Sequence, residues 1–243
     1  MSFWTAGASL VAASAGLAAW GAFHPASQLF GATLRRLPAN PRREPSIALT
    51  FDDGPNPAMT PRLLEILARH QARATFFLIG EYVRRFPELA KEIASRGHAI
   101  GNHTDTHPNL IWLSRRRIKE ELQRCQAEIA DATGRQPMWI RPPYGFRSPQ
   151  MHRAVRASGF RAVVMWSASG RDWKRQPASQ MIERLRRVRP GDIVLLHDGA
   201  PPVPGGRGCD RSHTLAAVEH WLPRWNERDW KCVTLDEIFA AEK

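Results

Sequence analysis

Five short motifs in this chain each set groups capable of chemistry at the end of an apolar run: TFDDGP at 50–55, HTDTH at 103–107, RPPYG at 141–145, GRDW at 170–173 and LLHD at 195–198. His103 and His107 stand four residues apart, so a helical turn between them would bring both imidazoles onto one ion. Two solvated loop histidines are the ordinary reading of such a pair alone. An aspartate pair on another strand end changes that reading, because one carboxylate completes a facial set of two histidines and an acid. Three protein ligands leave positions open for water and substrate, the arrangement of a catalytic rather than a structural metal.

Asp52 and Asp53 are adjacent and repel each other. Neighbouring residues leaving a strand point in different directions, so one carboxylate can bind metal while the other faces water as a base. The metal's charge relieves the repulsion. Arg141, Asp172, Trp173 and His197 stand at or just after the ends of the other apolar runs. The plainer readings are a surface arginine at 141 and a core residue at Trp173.

These motifs need a frame that gathers strand ends. From Ser46 onward, short apolar runs alternate with amphipathic stretches. Strands are expected at 46–51, 74–79, 98–101, 138–141, 162–166, 192–197 and 232–235. Thr60, followed by Pro61, is expected to cap one helix, and Ser114 to open another that Gly134 ends. Such alternation predicts an α/β fold with a largely parallel sheet. Seven units without a GxGxxG loop favour barrel-like closure, in which the C-terminal strand ends share one face.

The motifs, in this order, resemble those of the polysaccharide deacetylases, the NodB-homology domains of carbohydrate esterase family 4. The resemblance spans about residues 45 to 240. It implies a distorted (β/α) barrel of about seven strands that removes acetyl groups from N-acetylated sugars by metal-assisted hydrolysis. By position it implies Asp53, His103 and His107 as ligands of a divalent metal, most often zinc. It further implies Asp52 as general base, oriented and kept ionised by a two-pronged grip of Arg141, and His197, whose pKa range suits protonation of a leaving amine, as general acid oriented by Asp172. The backbone N–H of Tyr144 would serve the oxyanion, and Trp173 and Leu195 would line the acetyl pocket. The chain departs from the pattern at Ser169, where many members carry an aspartate.

Chain composition adds little that is specific. The 243 residues suit one catalytic domain, 46–243, preceded by a Pro-containing linker or arm at 24–45. Phe3–Phe23 is uncharged and bracketed by Trp4 and Trp20, which predicts a membrane anchor or signal segment and a location at the cell envelope. The Arg35-Arg36 and Arg42-Arg43 pairs would favour a cytoplasmic domain instead, so orientation stays open. The net charge of +12 favours anionic surroundings. Arg115–Arg117 carries no interleaved aromatics, so no nucleic-acid role is expected. Cys125 falls on an apolar helix face, and a Cys209–Cys232 disulfide is compatible with the sequence. Other readings are an O-acetyl esterase or small-amide hydrolase of the same superfamily, a non-catalytic carbohydrate binder, and a non-haem iron oxygenase. The last usually reads HxD…H rather than D…HxxxH. Peptidoglycan, chitin oligosaccharides, another N-acetylated glycan and acetylated xylan all stay open as substrates.

Overall fold

In a computed structural model, the backbone is described for residues 3–40, 44–202 and 210–240, and side chains from residue 13 onward. Nine parallel-paired strands form one curled sheet: β1 (Thr33–Leu34), β2 (Ser46–Gly54), β3 (Ala74–Leu78), β4 (Ala99–Asn102), β5 (Trp139–Ile140), β6 (Ala162–Val164), β7 (Ala168–Ser169), β8 (Ile193–His197) and β9 (Lys231–Cys232). Their order is β1-β6-β5-β4-β3-β2-β8-β7, and β9 also pairs with β2. The expected parallel α/β barrel is therefore present as an incompletely closed one. β1 and β7 are additions to the seven expected strands. Each is two residues long, too short to carry an alternating pattern.

Side-chain alternation divides the sheet into two faces. On β2, Ile47, Leu49 and Phe51 join Phe76, Leu78, Val194 and Leu196 in the core beneath the helices. Ala48, Thr50 and Asp52 alternate with them and so point to the concave inner face, where Ala48 packs with Phe77, Val164 and Ile193. Gly101 is required there, because a Cβ would lie 2.4 Å from the Phe77 ring.

Nine helices among the described residues accompany the sheet: α1 (Phe3–Phe23), α2 (Thr60–Arg69), α3 (Gly80–Arg85), α4 (Pro87–Ser95), α5 (Arg115–Thr133), α6 (Pro149–Ala157), α7 (Ala178–Leu185), α8 (Ser212–Asn226) and α9 (Leu235–Ala240). Ser114 caps α5 by accepting from the Arg117 N–H, and Gly134 ends it at φ 70°. Cys125 is buried on its inner face beside Ile118, Leu122 and Ile129. Two expectations need correction. Met59, not Thr60, is the cap residue of α2. The Thr60 hydroxyl instead accepts from the Asn56 N–H at 2.8 Å and donates to the buried Asp198 carboxylate. Leu235, expected in the last strand, opens α9.

The stretch expected as a linker or arm is a docked arm over its described part. β1 pairs with β6, and the Leu37 N–H donates to Gly191 at 2.8 Å, just ahead of β8. The arm thus laces the open seam between β6 and β8. Arg147 anchors its start by donating to the carbonyls of Ser27 (2.6 Å) and His24, and Phe23 at the end of α1 packs edge-on against Phe146. No helix among the described residues is long and apolar enough to cross a membrane, so the expected anchor gains no support from the fold. Arg42, Arg43 and Cys209 lie outside the described residues.

Candidate active site

β2 carries the aspartate pair within the strand rather than after it. Its register against β3 shifts between Asp52 and Gly54, and Asp53 adopts φ 69°. This bulge is the physical reason that the two carboxylates diverge. Asp52 stays on the inner face, and Asp53 turns toward the loop after β4.

That loop holds HTDTH. Expected to converge by a helical turn, His103 and His107 instead converge through an irregular loop in which Thr104 (φ 68°) and His107 (φ 59°) are left-handed. Hydrogen bonds determine this shape. Asn102 Oδ1 accepts from the Thr104 N–H at 2.8 Å, and Thr104 Oγ1 accepts from the His107 N–H at 3.1 Å. Glu121 on α5 accepts from the N–H groups of Asp105 (3.1 Å) and Thr106 (2.9 Å) and from the Thr106 hydroxyl (3.1 Å). Sequence reasoning missed Glu121. A signal was present, since Glu121 falls on the apolar face of α5 three residues after Ile118, where an acid must have partners.

Asp53, His103 and His107 bring one ligand atom each to within 4.8 Å of one another, all buried. Asp53 Oδ1 lies 3.3 Å from His103 Nε2 and 3.2 Å from His107 Nε2, yet has no hydrogen-bond partner. A buried, orphaned carboxylate oxygen facing two imidazole nitrogens fits a divalent cation. Burial alone would raise the Asp53 carboxyl, but the two imidazoles and the His197 charge hold it well below the usual carboxylate range. Burial pushes the His107 imidazole down, toward the neutral form that ligates. His103 Nδ1 sits 2.7 Å from the Arg141 carbonyl, which selects the Nδ1–H tautomer and leaves the Nε2 lone pair facing Asp53.

Arg141, at the end of β5, is fully buried with its guanidinium 4.3 Å from the centre of the Phe77 ring. One of its nitrogens donates to Asp52 Oδ1 at 2.7 Å and to Thr50 Oγ1 at 2.8 Å. The expected two-pronged grip is absent, because the other N–H groups go to the carbonyls of Val164 and Met165, each at 3.2 Å. Asp52 thereby keeps Oδ2 free of the arginine, 3.9 Å from His103 Nε2.

His197, at the end of β8, holds Asp172 through two contacts. Its Nδ1 lies 2.8 Å from Asp172 Oδ1, and its backbone N–H donates to Oδ2 at 2.7 Å. Thr214 donates to the same Oδ2 at 2.9 Å. Burial would lower the imidazole pKa, but the charge and hydrogen bond of Asp172, with smaller contributions from Asp53 and Asp52, raise it to about 9. Asp172 itself is held low against its own burial, chiefly by His197. Arg211, a second residue missed in the sequence, ties this corner together by donating to the carbonyls of Asp172 (2.5 Å) and Gly199 (2.7 Å).

The remaining residues border the same face. Tyr144, at φ 59°, sets its exposed ring 4.8 Å from His107. The Gly145 and Phe146 N–H groups close the turn onto Pro142 and Pro143, a pattern that does not use the Tyr144 N–H. Trp173 is 47% exposed and meets His197 edge-on at 5.8 Å. Leu195 is buried two residues before His197, on the same side of β8. Ser169 pairs with Leu195 across β7 and β8, and its hydroxyl accepts from the Arg171 N–H at 3.0 Å. The structure thus brings every expected site residue to one end of the barrel.

A model of the polysaccharide deacetylase family matches residues 39–163, more than half of the chain. The chain belongs to the polysaccharide deacetylase family. The resemblance read from the five motifs is borne out. Relatives within this family include a chitooligosaccharide deacetylase of Sinorhizobium fredii, 38% identical over 80% of this chain and 92% of its own. A peptidoglycan-N-acetylglucosamine deacetylase of Bacillus cereus is 34% identical over 82% of this chain and 90% of its own. Among solved structures, a peptidoglycan N-acetylglucosamine deacetylase superposes with a TM-score of 0.75 at 33% identity, covering 85% of this chain and 92% of that one. A carbohydrate esterase family 4 pseudoenzyme from Bacillus anthracis superposes with a TM-score of 0.74 at 29% identity, covering 85% and 68%.

Proposed function

We propose that this polysaccharide deacetylase is a metal-dependent hydrolase that removes acetyl groups from N-acetylated sugars of a peptidoglycan- or chitin-like glycan. The observation that carries the reading is the orphaned Asp53 carboxylate oxygen between His103 and His107, with Asp52 and His197 on adjacent strands beside it. The names of relatives on both kinds of glycan support the substrate class.

Asp53, His103 and His107 would hold a divalent cation, zinc in this proposal, which supplies Lewis acidity toward the attacking water and the acyl oxygen. Asp52 accepts the proton of the attacking water. Arg141 holds Asp52 in place by donating to Oδ1 from within the barrel, where it cannot reach solvent. The Tyr144 N–H, unused by its own turn, donates to the oxygen that becomes negative as the acetyl carbon turns tetrahedral. His197, protonated at neutral pH, gives its Nε2 proton to the departing sugar amine. Asp172 fixes the Nδ1–H tautomer that makes this possible. Leu195 and Trp173 give the acetyl methyl an apolar wall.

The proposal also locates the protein at the cell envelope, where such polymers lie. The test is acetate release by the zinc-loaded protein from chitin oligosaccharides, peptidoglycan and O-acetylated xylan. Release from N-acetylated glycans and loss of it in Asp52→Asn are expected. Release from xylan alone would make the protein an O-acetyl esterase. Release from none, with metal bound, would place it with the non-catalytic relatives.

A further inference from the structure

We propose that the basic groove beside Trp173 is a subsite for carboxylate groups on the glycan, which makes an acidic glycan the preferred substrate. This inference rests on the deacetylase reading and deepens it. The groove is a cavity of about 1080 Å³ at the seam between β6 and β8. Trp173 and Trp166 line it on the side of the active site, and Trp173 is the residue that meets His197. Trp173 therefore borders both the groove and His197.

The charge balance of its walls is one-sided. Its two acids are both engaged: Glu183 pairs with Arg186 at 2.8 Å, and Asp192 with Arg36 at 2.7 Å. Asp192 also accepts from the Ser167 hydroxyl and the Arg189 N–H. Arg171, Lys174, Arg184 and Arg187 line the same groove, are exposed, and form no ion pair among the described residues. Four like charges around one concavity repel each other, and an anion there relieves the repulsion. Guanidinium groups suit carboxylates because their N–H geometry matches two oxygens. Ser169 leaves the lip of the groove uncharged.

A neutral N-acetylglucosamine oligomer has nothing to offer these cations. A glycan carrying lactyl carboxylates, or peptide stems ending in carboxylates, does. The exposed aromatic face of Trp173 beside the cations suits a sugar chain that brings both an apolar ring face and an acid.

The experiment uses three N-acetylated oligomers of equal length: one neutral, one with lactyl carboxylates on alternate sugars, and one with peptide stems attached through those carboxylates. Zinc-loaded full-length protein and the variant Lys174→Gln/Arg184→Gln/Arg187→Gln are compared at low and high salt by kcat/KM and by calorimetric binding. The wild type should prefer one or both acidic oligomers, and the arm preferred identifies the source of the carboxylate. Each neutralised exposed cation should lower the preference by up to about fivefold. High salt should lower it as well, since the Debye length is only about 8 Å at physiological ionic strength. Turnover of the neutral oligomer should be unchanged in the variant. Equal kcat/KM and equal binding on neutral and acidic oligomers, or a preference that survives in the variant, would overturn the proposal. So would an oligonucleotide that displaces the acidic glycan at equal salt. Absence of turnover on all three oligomers would refute the deacetylase reading alone, and the binding measurements would still decide the groove.

Discussion

Asp52 and His197 are register partners in the parallel ladder between β2 and β8. The proposed reaction needs a base and an acid at a fixed separation on opposite sides of one acetamido group, and adjacent strands of one sheet provide it with little freedom to drift. Each is then oriented by a residue from a different element: Asp52 by Arg141 at the end of β5, and His197 by Asp172 after β7. The two pairs share no partner. They can therefore be tested separately.

Removing Arg141 should be a stability defect as well as a catalytic one. The guanidinium is fully buried, contacts Asp52 and Thr50, and supports the carbonyls of Val164 and Met165. Breaking a buried pair from one side costs about 3–5 kcal/mol, because the remaining charge is left without compensation. Arg141→Ala should lower the unfolding free energy by that amount in denaturant titrations. Arg141→Lys should recover little, since one ammonium cannot serve four acceptors spread around a plane. A variant of wild-type stability would refute the account.

His103→Ala or His107→Ala should each abolish tight metal binding and acetate release while circular dichroism stays near wild type. Both side chains belong to a loop whose shape is held by Asn102, Thr104 and Glu121, none of which is removed. Metal analysis of purified variants checks this. Full occupancy in both would refute the ligand assignment.

Glu121 offers a test of the loop that aims these ligands. Its carboxylate accepts from three donors of the Asp105–Thr106 segment rather than from the ligand residues themselves. Glu121→Ala should loosen that segment and lower metal affinity about 10- to 100-fold, the usual effect of losing a residue that supports a ligand. Glu121→Gln keeps an acceptor and should recover much of it. Equal metal affinity in Glu121→Ala and wild type would show that the loop holds its shape without α5.

The legibility of this site in the sequence follows from local physics. β2, β3 and β8 are the longest strands and are largely apolar runs, and β2 and β8 end in Asp-Asp-Gly and His, so both the strands and the shared rim could be read from the sequence. β1 and β7 could not, because each is two residues with no apolar run around it and exists only through its neighbour's register. The turn expected between His103 and His107 failed for a related reason. Its left-handed residues are Thr and His, which carry no glycine signal, and the forces that hold them come from Asn102 and the distant Glu121. Thr60 looked like a cap because its neighbour is a proline. A buried carboxylate 138 residues away competes for the hydroxyl.

The pH dependence of catalysis should report the Asp172–His197 pair. Burial alone would lower the His197 pKa, and the charge and hydrogen bond of Asp172 outweigh it, bringing the value to about 9. A divalent cation held at Asp53 would itself oppose the protonated imidazole, so Asp172 is the group that would keep the proton on His197. In the proposed role of general acid, His197 works only while protonated, so kcat/KM should fall on the alkaline side as that proton is lost. Asp172→Asn keeps the size and removes the charge. Burial then dominates, and the alkaline limb should move to lower pH, with a lower rate at neutrality. The same linkage appears in stability. A group raised in the folded state stabilises it fully below its unfolded pKa near 6.5, and that contribution is lost as pH rises through about 9. Wild type should therefore lose stability over this window, and Asp172→Asn should lose less of it. His197→Ala should cost about 10²–10⁴ in kcat. Because Asp172 acts through His197, adding Asp172→Asn to His197→Ala should cost little more. An alkaline limb left in place by Asp172→Asn, or a full additional loss in the double variant, would refute the pairing as the source of the acid.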